Sequence, residues 1–277
     1  MKTLRAVSLG ILLIVISNAV AFGQTPDQIF NQALEQLRTE KYEQAIAGFR
    51  RYIAINPGES TAHYNIGICY YFLEQYNESL PPFRESIRLK PDYSKAWLYL
   101  GLTYKKLNNE SDAEASFKKV VALDPNDKLP YKELGYIYED KDPKSTAIEY
   151  YEKALRIDPD YAEASFGLGN IYYNLKQYEK SLPHYEKAVR NSPKWVSAVT
   201  YLGDNYLNLN RYGEAITRYQ TAIALDAKRD DAIYGLGLAY HNLGKSDLAR
   251  QQYDKLVGLG SDLAAKLLAK IQVAVPK

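Results

Sequence analysis

The side chains able to do covalent or metal chemistry are few in this chain and far apart. His63, His184 and His241 fall in widely separated stretches, with no H-E-x-x-H run and no Cys/His cluster at metal-ligand spacing. Cys69 is the single cysteine, so an intramolecular disulfide is excluded, and it reads as a small apolar residue in a helix. No G-x-x-x-x-G-K-[ST] loop and no G-x-S-x-G elbow occurs. The acidic pairs Asp230-Asp231 and Glu139-Asp140 have no partner that would set them across a cleft. The expectation is a protein that is not an enzyme and needs neither cofactor nor metal. The remaining chemistry is that of contact, carried by 26 tyrosines and 35 Lys and Arg residues.

The 35 bases stand against 33 acids. Setting aside Lys2 and Arg5, the only charges in the first 23 residues, leaves 33 of each sign, interspersed along the chain. Such a chain has no broad basic face for nucleic acid and no polybasic surface for anionic lipid, which leaves a protein or peptide as the expected partner.

Lys2 and Arg5, the apolar run from Ala6 to Ile16 and the small, polar stretch from Ser17 to Gly23 have the three-part layout of a secretory signal. Ala19-Val20-Ala21 and Ala21-Phe22-Gly23 both suit the small-x-small rule, so the expected mature start is Phe22 or Gln24. The expected location is periplasmic or secreted, with no membrane attachment after cleavage. The alternative is a retained N-terminal membrane anchor, because Ala6 to Phe22 approaches the roughly 17 to 25 residues of a spanning helix.

The elements that position the tyrosines are marked by a ruler of 34 residues. Pro57, Pro91, Pro125, Pro159 and Pro193 keep that step, as do Gly67, Gly101, Gly135, Gly169, Gly203 and Gly237. Each glycine follows an apolar residue and precedes a tyrosine by three: Tyr70, Tyr104, Tyr138, Tyr172, Tyr206 and Tyr240. Six repetitions of a three-residue coincidence are not chance. Repeats so spaced start at Pro26, Ser60, Ser94, Lys128, Ala162, Val196 and Asp230.

This pattern resembles the tetratricopeptide repeat family, W-x2-L-G-x2-Y, then A-x3-F, then P. Trp97, Leu100, Gly101, Tyr104, Ala113, Phe117 and Pro125 match it in full. The resemblance implies an all-α chain, a right-handed α-solenoid of helix-turn-helix repeats with a C-terminal capping helix. The expected divisions are a signal peptide over 1–23, seven repeats over 24–261 and a capping helix and tail over 262–277. The first repeat departs most, with Gln32-Ala33 for Leu-Gly, and the last two replace the closing proline by Ala227 and Ser261.

On a helical wheel, Trp97, Leu100 and Tyr104 form one stripe, expected to face the second helix of the repeat. Gly at position 8 and Ala or Ser at position 20 would let the two helices approach. Pro81, Pro82 and Pro183 lie early in second helices and are expected to be tolerated.

The first helices leave a second face, which in tetratricopeptide arrays lines the concave side, and the resemblance implies the same here. In the second and third repeats it carries Tyr64, Ile68, Tyr71, Phe72, Lys95, Leu98, Leu102, Lys105 and Lys106. In the fourth to sixth it carries Lys132, Tyr136, Glu139, Asn170, Tyr173, Asp204 and Asn208. The expected character passes from apolar and cationic to amide-rich and acidic. Family members that hold chaperone C-termini use a two-carboxylate clamp that needs Lys and Asn one turn apart. Lys132 is followed by Tyr136, so that clamp is not assembled.

The resulting expectation is an exported scaffold of the cell envelope that binds a partner segment along this face. The alternative is a non-catalytic accessory subunit of an envelope enzyme or assembly complex, held by its convex face or ends.

Overall fold

A computed structural model describes residues 23–141 and 144–272, and the expected signal segment lies outside the described residues. The described residues form fifteen α-helices and divide into two compact units, up to Pro130 and from Tyr131 on. The first holds α1 (Pro26–Arg38), α2 (Tyr42–Ile55), α3 (Ser60–Phe72), α4 (Tyr76–Leu89), α5 (Ser94–Lys106) and α6 (Glu110–Leu123). The second opens in the first turn of α7 (Lys128–Tyr138) and continues with α8 (Ser145–Ile157), α9 (Ala162–Asn174) and α10 (Tyr178–Asn191). It closes with α11 (Val196–Asn208), α12 (Tyr212–Leu225), α13 (Asp230–Asn242), α14 (Ser246–Gly258) and α15 (Leu263–Ile271). Each first helix begins on a residue that the 34-residue ruler marks as a repeat start. The architecture is all-α, each unit a succession of packed tetratricopeptide-like helix pairs.

Local chemistry ends each helix where the period requires. Asn56, Lys90, Asp124, Asp158 and Ser192 precede the periodic prolines, and all have φ between −122° and −137° with positive ψ. Proline's ring crowds the residue before it out of the α region, so the helix stops there. Asp226 precedes Ala227 instead, yet holds φ −143° and ψ 99°. Its Oδ1 accepts the Lys228 N–H at 3.1 Å, an Asx turn that keeps the geometry without proline. The bend inside most repeats uses a left-handed residue, Glu40, Glu74, Asn108, Lys176 or Asn210, with glycine only at Gly244. The helix α4 runs unbroken through Pro81 and Pro82.

Packing within a pair rests on an aromatic ring pressed against glycine. A Cβ on Gly67 would stand 2.5 Å from the Phe83 ring, and one on Gly135 2.8 Å from the Tyr151 ring. Phe49, Phe83, Phe117, Tyr185 and Tyr219 at the same register are wholly buried, as are the small residues one turn before this register on the second helices, Ala45, Ser79, Ala113, Ala147, Ser181, Ala215 and Ala249. Each buried ring contributes about 1.5–3 kcal/mol by leaving water. In the last repeat the ring's place beside Gly237 is taken by Leu267 of α15, whose side chain is also wholly buried.

The stripe expected to face the second helix of its own repeat also serves the repeat before it. Tyr70 and Tyr104 accept hydrogen bonds from Arg50 and Arg84 at 2.7 Å, each twenty residues earlier, and Tyr206 donates to Glu186 at 2.6 Å. Trp97 is half-buried and donates its Nε1–H to the Pro91 carbonyl at 2.9 Å. A tyrosine at this register thus ties successive repeats. Tyr104→Phe removes the acceptor of Arg84 while keeping the ring, and is expected to cost about 1 kcal/mol in urea unfolding. No loss would mean that the tie is idle.

Candidate binding surfaces

Tyr64 and Tyr71 of α3 come together with tyrosines that the wheel did not select. The Tyr64 ring lies 5.0 Å from Tyr93 and 6.0 Å from Tyr99, and Tyr71 lies 5.5 Å from Tyr99 and 5.6 Å from Tyr76. Most of these pairs are tilted or edge-on, the geometry that sets a ring's positive edge on its neighbour's negative face. Burial pushes the Tyr64 phenol far above its ordinary range. Phe72, 50% exposed, stacks on Tyr42 at 5.8 Å and meets Tyr71 edge-on. On α5, which supplies Tyr99 to this cluster, Leu98, Leu102 and Lys105 are half-buried and Lys95 and Lys106 are exposed, and the Lys106 Nζ sits 5.9 Å over the Tyr76 ring. Ile68 departs from its expected place on the surface: it is 6% exposed and offers a partner almost nothing.

Tyr99 escaped the helical wheel because it stands at position 6 of its repeat, outside the chosen arc, and completes the cluster of the repeat before it. Its signal was present. Tyr201 occupies the same register three repeats on, while position 6 elsewhere holds Asn31, Asn65, Glu133, Gly167 or Gly235.

In the second unit the polar residues at position 9 are committed to internal bonds. The Tyr185 hydroxyl donates to Asn170 Oδ1 at 2.8 Å, and that of Tyr219 donates to Asp204 Oδ1 at 2.6 Å. A buried phenol needs a partner, and position 9 supplies it. Where the buried ring is Phe83 or Phe117, position 9 holds Ile68 or Leu102 instead. The Tyr151 hydroxyl bonds Glu139 at position 12 instead, Tyr136 at position 9 is 55% exposed, and Lys132 pairs with Glu133. Asn208 Nδ2 donates to the Tyr173 hydroxyl at 3.0 Å, and burial chiefly pushes that phenol up to about 12. Asp204 itself is pushed up to about 6 by burial, against the lowering effect of the Tyr219 hydrogen bond.

The other reactive groups do not converge. Cys69 is wholly buried, which pushes its thiol up to about 12, and His184 stacks on Tyr172 at 5.5 Å. Burial lowers the pKa of both His63 and His184. His63 lines a cleft of 530 Å³ in the first unit with Arg50, Tyr70, Pro81, Pro82 and Glu85. Among the described residues no three His, Cys, Asp or Glu side chains are placed to hold a metal, and no helix is long and apolar enough to cross a membrane.

Family models described as tetratricopeptide repeats match residues 30–93, 94–127, 162–194 and 231–259, and one described as TPR repeat matches 145–176 and 203–244. No curated protein sequence matches the chain. Among solved structures, the C-terminal part of a TPR repeat-containing protein from Cytophaga hutchinsonii superposes with a TM-score of 0.69 at 19% identity, over 86% of this chain and 99% of that one. PilW, a type IV pilus biogenesis factor, gives 0.65 at 17% identity, over 76% and 98%. YrrB, described as a TPR protein with an unusual peptide-binding site, gives 0.56 at 21% identity, over 67% and 95%. At these identities the likeness is one of fold.

Proposed function

Since the chain belongs to the tetratricopeptide repeat family, whose members are typically non-catalytic scaffolds, we propose that it is an exported scaffold of the cell envelope that holds a segment of another protein. The segment lies against the first-helix face of the second and third repeats. The observation that carries this reading is Phe72, half exposed at the edge of a tyrosine cluster whose Tyr99 stands on α5, the helix that also carries Leu98, Leu102, Lys95, Lys105 and Lys106. Apolar anchors supply most of the binding energy of an interface, whereas rim charges set encounter rate and salt dependence. An acidic, apolar segment suits this surface. The leader of residues 1–23 supports export, and mass analysis of the envelope protein should find Gln24 or Phe22 at its start. A full-length chain from Met1 in the membrane fraction would replace cleavage by anchoring.

Leu98→Asp with Leu102→Asp should reduce partner binding at least tenfold while helical content stays native. Lys105→Ala with Lys106→Ala should weaken it mainly at low salt. Lys118→Ala with Lys119→Ala, on the second helix α6, is the control. One observation favours the alternative of an accessory subunit held by its convex face or ends, namely the 530 Å³ cleft that Pro81 and Pro82 line together with His63 and Tyr70. If the control loses the partner and the double leucine variant keeps it, that alternative takes the place of the first.

A further inference from the structure

The tyrosine cluster of the first unit has a counterpart in the second, residue for residue, 102 positions on. Tyr64, Tyr71, Tyr76, Phe83, Tyr93 and Tyr99 correspond to Phe166, Tyr173, Tyr178, Tyr185, Trp195 and Tyr201. The counterpart is assembled in the same way. Phe166 lies 4.6 Å from Trp195 and 5.4 Å from Tyr201, and Tyr173 lies 5.3 Å from Tyr178 and 6.2 Å from Tyr201. The rings are wedged against one another, so the one that stays open is set by packing rather than by rotamer freedom. It is Tyr201, at 37% exposure.

The surroundings are what differ. Where the first cluster has Lys95, Leu102 and Lys106, the second has Ser197, Asp204 and Asn208. Tyr201 and Asp204 stand three residues apart on α11 and so share a face. Asp231, at the start of α13, is close enough for its charge to act on Asp204, and it holds Arg229 at 2.7 Å. Tyr219 donates to one oxygen of the Asp204 carboxyl, Oδ1, at 2.6 Å. An open aromatic ring beside a carboxylate of limited solvation attracts a cation through both ring and charge.

We propose that the face of α9 and α11 is a second binding surface, which takes a cationic, aromatic-bearing peptide segment and is opposite in charge preference to the surface of α3 and α5. The assignment extends the reading of first-helix faces as binding surfaces, and it stands on residues of the other unit. Its discriminating features are the exchanges of Lys95, Leu102 and Lys106 for Ser197, Asp204 and Asn208 on the helices that carry the corresponding aromatic rings.

The test measures fluorescence anisotropy of the full chain with two labelled peptides of equal length, one repeating Lys-Phe-Gly and the other Glu-Phe-Gly. The Lys peptide should bind more weakly by several-fold in Tyr201→Ala and in Asp204→Asn with Asp231→Asn, and should keep its affinity in Leu98→Asp with Leu102→Asp. The Glu peptide should show the reverse. The Asn pair preserves an acceptor for Tyr219, so a melting temperature no lower than that of the unaltered chain separates lost charge from lost fold. Absence of Lys-peptide binding, or binding that none of the second-unit variants weakens, overturns the second surface. A Glu peptide indifferent to the leucine variants counts instead against the first.

Discussion

Gly135→Leu is expected to lower the stability of the chain by about 1–3 kcal/mol, the usual cost of forcing extra methylenes into a close-packed contact. A Cβ at this position would already stand 2.8 Å from Tyr151 Cδ1 and Cε1, before the rest of the leucine is placed. The ring has little room to move aside, because Gly167 also approaches it so closely that a Cβ there would stand 2.3 Å from its Cζ, and its hydroxyl bonds Glu139. Repeats are held chiefly by their neighbours, so the loss should broaden the unfolding transition as well as shift it. Gly213→Leu is the matched control: no atom lies within 4 Å of its Cβ position, and helix propensity should leave it neutral or improved by up to about 1 kcal/mol. Urea unfolding of both variants decides the matter. Equal curves would show that the ring against glycine is not the contact holding the pair.

Asp204→Asn is expected to stabilise the chain at neutral pH and to do nothing near pH 4. The Asp204 carboxyl is pushed up to about 6 from an ordinary 3.8, first by burial, and the charge of Asp231 adds to the rise while Tyr219 and Arg229 oppose it. Tyr173, which feels the Asp204 charge most after its own burial, is a neutral phenol at this pH. A carboxyl that holds its proton more tightly when folded binds more protons in the folded state between these values. Folding stability therefore falls as pH rises from about 4 to about 6, and the full penalty stands above that window. Asparagine removes the charge and keeps an acceptor for the Tyr219 hydroxyl, as Asn170 already does for Tyr185. The gain at about pH 7.5 should be on the order of 1–3 kcal/mol, since each tenfold change in proton affinity between folded and unfolded chain is worth roughly 1.4 kcal/mol. Denaturant unfolding of both proteins at the two pH values is the measurement. A difference that does not change with pH, or a variant less stable throughout, would show that the carboxylate is well solvated.

The period, the first-helix boundaries and a close helix approach at the periodic glycines were legible in the chain alone, while the ring that fills that approach came from the structure. The legible features are local or repeat at a fixed step: a proline stops the helix before it, and a glycine that recurs at that step marks a close approach. The first-helix face was also legible as an amphipathic arc, and with it Tyr64, Tyr71, Leu98 and Leu102. Which of those side chains remain open to a partner was fixed only by the packing of the helices in space. Asn170 and Asp204 read as surface polar groups until Tyr185 and Tyr219, fifteen residues on, deliver buried hydroxyls that must be bonded. Ile68 lies on the same arc and is buried, while Tyr99 and Tyr201 lie off it and complete the aromatic clusters of the repeats before them. The physical reason is common to these cases. A helical wheel places a side chain on a face, but its exposure and its hydrogen bonds are settled by the neighbouring helices that fill the space above it.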